Sequence, residues 1–177
     1  MTIDEDFVFP IYISQKVLQQ IIKICKNNRF EVFGYLVGER YTWKQKNYVI
    51  INHYLFKEEA VHGMRALVEE SGETNIAHDD RDRLDTIEFE FLKYVDEFEK
   101  LKRKENNDNL LNIGWWHSHP GFGCFLSHID IATQKDIFFQ PYHVALVVDP
   151  IRNELAFFTL DKNSKKGYRE IDFATIA

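Results

Sequence analysis

The sequence predicts an α/β fold, a sheet flanked by helices over residues 14–28 and 81–104. Three observations lead there. Short runs rich in β-branched and aromatic residues recur along the chain. Two longer stretches place apolar residues at helical spacing instead. Strands and helices alternate rather than segregate, the pattern of layered α/β domains.

The elements follow in chain order. FVFPIYI at 7–13 reads as a strand, with Pro10 pushing it toward a sheet edge. Ser14 is placed as an N-cap, and Val17, Leu18, Ile21, Ile22, Ile24 and Cys25 then recur at helical spacing until Asn27-Asn28 ends the helix. EVFGYLV at 31–37 and KNYVIINHYLF at 46–56 are two further strands. Residues 57–80 lack a period and read as an irregular surface excursion, a kind of segment that is often functional. The long helix 81–104 carries one apolar stripe of Leu84, Ile87, Phe91, Tyr94, Val95, Phe98 and Leu101. LLNIGWW at 110–116 is a strand, and Ser127 opens a helix to about Phe139. Strands at 142–148 and 154–160, with the turn residues Asp149, Pro150, Arg152 and Asn153 between them, form a hairpin. No linker or repeat divides the chain, so residues 1–177 are expected to form a single domain.

Composition narrows the function classes. With 22 basic and 28 acidic residues the net charge is −6. That disfavours nucleic-acid or anionic-membrane binding, which needs a basic face. Two distant cysteines, Cys25 and Cys124, suit neither a disulfide scaffold nor a metal-ligand pair. The acidic start MTIDEDFVFP is not a signal peptide, and no apolar run approaches a membrane span, so a cytoplasmic location is expected.

The chemistry concentrates around residue 120. His117 and His119 stand at i and i+2 at the end of an apolar strand. Strand side chains alternate, so both imidazoles point to one side, a start for zinc ligation. An exposed strand end with incidental histidines would carry the same pair. Ser127 and Asp130 follow at capping-box spacing. The aligned N–H groups of a helix start keep a carboxylate there ionised, as a metal ligand must be. A plain capping box without metal explains Ser127 and Asp130 equally well.

Together, His117-Ser118-His119-Pro120, the seven residues between His119 and Ser127, and Ser127-His128-Ile129-Asp130 match the motif His-x-His-x7-Ser-x2-Asp. The chain thereby resembles the JAMM (MPN+, Mov34/PAD-1) zinc metalloproteases. GWWHSHPGFGCFLSHIDIATQ is similar to the corresponding stretch of the proteasome-lid deubiquitinase and its signalosome relative. The family also carries Glu-x-x-Gly-x-Leu-x-Gly, matched by EVFGYLVG at 31–38, and a run like Val-Val-Asp-Pro at 147–150. The resemblance covers most of residues 7–160. Two departures are His128, where relatives have a small residue, and Phe125, where close ones have Trp.

The resemblance implies a three-layer MPN/JAB-like domain with a mixed, curved sheet, similar to cytidine deaminases. It implies one Zn2+ held by His117, His119 and Asp130, Glu31 as general acid/base, and Ser127 as oxyanion donor. Ser118 is expected to point away from the metal. His128 is read as a surface residue, with a fourth polar group near the metal as the alternative, and His53, His62, His78 and His143 as structural. The implied partner is ubiquitin or a ubiquitin-like protein, bound by its C-terminal tail, and residues 57–80 would form one wall of that groove. The implied activity is removal of the modifier from conjugates. Processing of a ubiquitin-like precursor is the alternative, and a metal-free scaffold is a third, weaker reading.

Overall fold

The computed structural model describes residues 7–58 and 88–177. Most of the 57–80 excursion, His62, His78 and the first turns of the expected helix 81–104, with Leu84 and Ile87, lie outside the described residues. The described elements run β1 (Ile11–Ser14), α1 (Gln15–Asn27), β2 (Phe33–Trp43), β3 (Lys46–Leu55), α2 (Tyr94–Glu105), β4 (Leu111–Ser118), α3 (His128–Asp136), β5 (Val144–Asp149), β6 (Glu154–Leu160), β7 (Tyr168–Ile171) and β8 (Phe173–Ile176).

The strands form one mixed sheet in the order β7-β6-β5-β4-β2-β3-β1-β8. β4 runs parallel to β5, and β1 runs parallel to both β3 and β8. The remaining pairs are antiparallel. β7 and β8 occupy opposite edges, yet only Asp172 separates them. One residue spans about 3.8 Å between neighbouring Cα atoms, so the sheet has to curl until its edges meet. Phe157 on β6 and Phe173 on β8 close the curl, with ring centroids 5.0 Å apart.

Each face buries its own apolar set, which makes three layers. On one face Val17, Leu18, Ile21 and Cys25 of α1 pack on Ile13, Leu36, Ile51, Trp116 and Leu146. On the other, Phe91 and Tyr94 pack with Phe33, Tyr35, Trp115, Phe138 and Val147. Trp116 is fully buried although its Nε1 has no hydrogen-bond partner. Burying an indole stabilises by about 4–6 kcal/mol, against roughly 1–3 kcal/mol for the stranded N–H, so packing wins. Gly34 makes room for that ring. A Cβ there would lie 2.7 Å from Trp116 Nε1 and 2.0 Å from the Leu55 carbonyl oxygen.

Several expectations are corrected. β1 is not an edge, because it lies between β3 and β8. Pro10 precedes the strand, so no ladder N–H is lost, and its carbonyl still accepts from Val49 N at 3.0 Å. Ser14 occupies the N-cap position of α1 but makes no side-chain cap bond. β2 continues to Trp43 as an exposed hairpin arm that turns through Lys44 and Gln45, both at positive φ. The described helical stretch begins at 88 and is interrupted at Lys93 before α2. Val95 is 48% exposed and lies off the apolar stripe. α3 ends at Asp136 rather than Phe139. β7 and β8 have no counterpart in the sequence reading. No helix among the described residues is long and apolar enough to cross a membrane.

Candidate metal centre

β4 delivers the two histidines. Within it, Trp115 and His117 face the side covered by α2 and α3, and their rings stack 4.1 Å apart at 16°. Trp115 Nε1 donates to Gln134 Oε1 of α3 at 2.6 Å, tying that helix to the strand. His119 lies just beyond the strand end, its ring centroid 4.8 Å from that of His117. The two imidazoles are therefore on one side, as their spacing predicts.

α3 delivers Asp130. Ser127 and Asp130 form a full capping box: Ser127 Oγ accepts from Asp130 N at 3.1 Å, and Asp130 Oδ2 accepts from Ser127 N at 2.8 Å. The same Oδ2 lies 3.3 Å from His117 Nε2 and 3.2 Å from His119 Nε2. One oxygen thus both closes the capping box and faces the two imidazoles.

Glu31 lies two residues before β2, with Oε1 3.7 Å from His119 Nε2. Ser118 anchors the segment that carries it. Ser118 is buried, and its Oγ accepts from Val32 N at 3.0 Å while its own N–H donates to Val32 O at 2.9 Å. These bonds clamp Glu31's neighbour to the strand that carries the histidines. Nothing in the sequence marks this positioning task, because the pairing of residues 86 apart is visible only in the register. On the other side of β2, the Tyr94 hydroxyl donates to Phe33 O at 2.9 Å.

Glu31, His117, His119 and Asp130 thus bring four ligand-type atoms within 4.8 Å of one another. Among the described residues this is the one such cluster of His, Cys, Asp and Glu. Its carboxylates and imidazoles favour one another's charged forms. Burial pushes the Asp130 carboxyl up, but the charges of His117 and His119 hold it far below the usual carboxylate range. Burial pushes His119 down, yet its bond to Asp130 and the charges of Glu31 and Asp130 raise it above the ordinary histidine value.

The donor set fits a tetrahedral zinc ion. Ligands at about 2.0–2.1 Å from zinc stand roughly 3.3–3.4 Å apart, which the two Asp130–histidine separations match. His117 is fully buried and neither of its ring nitrogens has a hydrogen-bond partner. An orphaned buried group costs roughly 1–3 kcal/mol. A cation at Nε2 would replace the 3.3 Å ion-pair contact of that nitrogen with Asp130 Oδ2, and Nδ1 would keep its penalty.

The other candidates behave differently. His128 is exposed at the start of α3. His143 is buried between Gln140 N and the Asn112 carbonyl, a structural arrangement. Cys25 and Cys124 are free thiols that burial pushes up to about 12 and about 11, so neither offers a thiolate nucleophile near neutrality. A cleft of about 190 Å³ lined by Arg40, Tyr142 and Arg169 includes none of the four cluster residues.

Comparison with known proteins bears on family and fold. The family model described as JAB1/Mov34/MPN/PAD-1 ubiquitin protease matches residues 7–138. COP9 signalosome complex subunit 5 of Candida albicans is 44% identical over 62 residues, 34% of this chain and 10% of that protein. Ubiquitin carboxyl-terminal hydrolase RPN11 of Saccharomyces cerevisiae is 47% identical over 53 residues, 28% of this chain and 17% of that protein. The matched segments span a fifth or less of each of these relatives. The solution structure of protein DSY2949 from Desulfitobacterium hafniense superposes with a TM-score of 0.53, covering 94% of this chain and 92% of that one. At 16% identity that likeness speaks to the fold alone.

Proposed function

The chain belongs to the JAB1/Mov34/MPN/PAD-1 ubiquitin protease family, and from that premise we propose that it is a zinc-dependent isopeptidase releasing ubiquitin or a ubiquitin-like protein from conjugates. The observation that carries the reading is the cluster itself: two imidazoles and two carboxylates converging, with His117 fully buried among them. His117, His119 and Asp130 would hold the ion. A three-ligand site that keeps one position open is catalytic rather than structural. Zinc supplies Lewis-acid polarisation of a carbonyl and acidification of water to a pKa of about 7.

The chain's own groups supply the rest. The Glu31 side chain is 39% exposed, whereas those of His119 and Asp130 are 6% and 7% exposed. Glu31 is therefore the carboxylate that meets both the cluster and solvent. It takes the proton from the attacking water and returns it to the leaving amine, as general base and then general acid. Ser127 Oγ accepts the Asp130 N–H, which leaves its own hydroxyl proton to donate to the developing oxyanion. Asp130, as an aspartate, is anionic at neutral pH and would hold the ion in that form.

The test incubates the protein with conjugated and with C-terminally extended ubiquitin-like proteins, with and without chelator. Chelator-sensitive release from conjugates supports the proposal. Cleavage of extended precursors alone makes the protein a processing peptidase. No cleavage of either by zinc-loaded protein refutes a catalytic role.

A further inference from the structure

Asp149 has no part in the chemistry just described, yet its carboxylate is wholly buried and accepts four backbone N–H groups. Two of them, Ile151 N at 3.0 Å and Arg152 N at 3.1 Å, belong to the turn between β5 and β6. An Asp at the head of a turn needs no more than these. The other two lie in the loop after His119: Gly121 N donates to Oδ1 at 2.9 Å and Gly123 N to Oδ2 at 2.7 Å. Both glycines sit at positive φ, +82° and +83°, conformations that side chains disfavour and that an outside anchor holds.

The Gly123 carbonyl lies 3.2 Å from His119 Nδ1. An imidazole that gives its Nε2 lone pair to a metal carries its proton on Nδ1, and the acceptor of that proton fixes tautomer and ring orientation. The path runs from the Asp149 carboxylate to the Gly123 backbone, and from there to the ring of His119. The His119 backbone is fixed separately, by its N–H to Val148 O at 2.9 Å.

We propose that Asp149 is a positioning residue of the metal centre, gripping the 121–123 loop so that the Gly123 carbonyl holds His119 with Nε2 facing the ion. The proposal rests on the metal-centre reading above. It assigns the Val-Val-Asp-Pro run a task beyond closing a hairpin.

Two variants separate the loop from the hairpin. Asp149→Asn can keep the three N–H groups on Oδ1 but sets an amide N–H2 against Gly123 N–H. Asp149→Ser can still cap the local turn but is too short to reach the loop, and it decides the matter if the Asn variant fails to fold. Leu146→Ala, a buried change on the α1 face, serves as a control with a comparable loss of stability. Zinc affinity by chelator competition and the visible spectrum of the cobalt(II) form are read on all four proteins. The expected result is a roughly 10–100-fold loss of affinity in both Asp149 variants, the usual scale for outer-shell partners. Their cobalt bands should shift, and the control should match wild type. Affinity and spectrum unchanged in the Asp149 variants would make Asp149 a hairpin cap and overturn the proposal, while the metal centre stands. Wild-type protein that takes up no metal would instead overturn the metal-centre reading, and this proposal with it.

Discussion

Glu31→Gln isolates proton transfer from everything else the cluster does. The change keeps size and shape but removes the basic oxygen. If Glu31 shuttles the proton, kcat falls by about 10²–10⁴, which is about 2.7–5.4 kcal/mol of transition-state stabilisation. The other costs are small by comparison. The side chain is 39% exposed and its Oε1 lies 3.7 Å from His119 Nε2, so that ion pair contributes less than about 1 kcal/mol to folding. The clamp between Val32 and Ser118 is made of backbone and hydroxyl groups that the change leaves in place. Single-turnover cleavage of a conjugate, metal content and a denaturation curve are measured together. The account expects slow turnover, one zinc per chain, near-normal stability and retained conjugate binding. Near-normal turnover with zinc bound would refute the assignment, and His128 would be the next base to test. Loss of zinc would make Glu31 a ligand.

Further outcomes follow from the same geometry. Ser127→Ala should lower kcat by about 10²–10³ through the lost oxyanion donor and destabilise the protein by about 1 kcal/mol through the lost cap of α3. Ser127→Asp should restore stability without restoring turnover, and recovery of both would show that the serine acts only as a cap. Gly34→Ala forces a Cβ to within 2.0 Å of the Leu55 carbonyl oxygen, so thermal denaturation should reveal a loss of about 1–3 kcal/mol or more; a neutral change would mean that β2 and β3 yield easily there. Asp149 gives stability a defined acid limb. Burial alone would raise its carboxyl, but its backbone donors lower it to about 2, against about 3.9 in the unfolded chain. Its contribution is complete above about pH 4 and is lost as pH falls toward 2. Denaturation midpoints between pH 2 and 5 should therefore flatten in Asp149→Asn, and an unchanged slope would remove Asp149 from the titration.

The parts of the fold that were legible in the sequence are those whose pattern repeats within one element. The α1 stripe of Val17, Leu18, Ile21 and Cys25 and the burial of Phe91, Tyr94 and Trp115 follow from local period and residue type. The His-x-His pair and its shared side follow from strand alternation. What escaped depends on partners distant in sequence. β7 and β8 are four residues each, too short to show a period, and exist because the sheet curls back on itself. Pro10 looked like an edge signal because its carbonyl pairing with β3 cannot be seen in its side chain. Asp130 offered a cap or a ligand as alternatives, and its approach to both imidazoles depends on the packing of α3 against β4, which local sequence does not show. Ser118 and Asp149 act on backbone N–H groups 86 and 26 residues away, distances at which residue type carries no signal.

The central claim is that this cluster holds one zinc ion on which conjugate cleavage depends. It is tested most directly by stripping the protein with a chelator and titrating zinc back while following release of a ubiquitin-like protein from its conjugate. The account predicts that stripped protein is inert and that activity rises linearly to a break at one equivalent. His119→Ala should give no rise at all. Full cleavage by the stripped protein, or recovery of the His119→Ala variant at one equivalent, would contradict it.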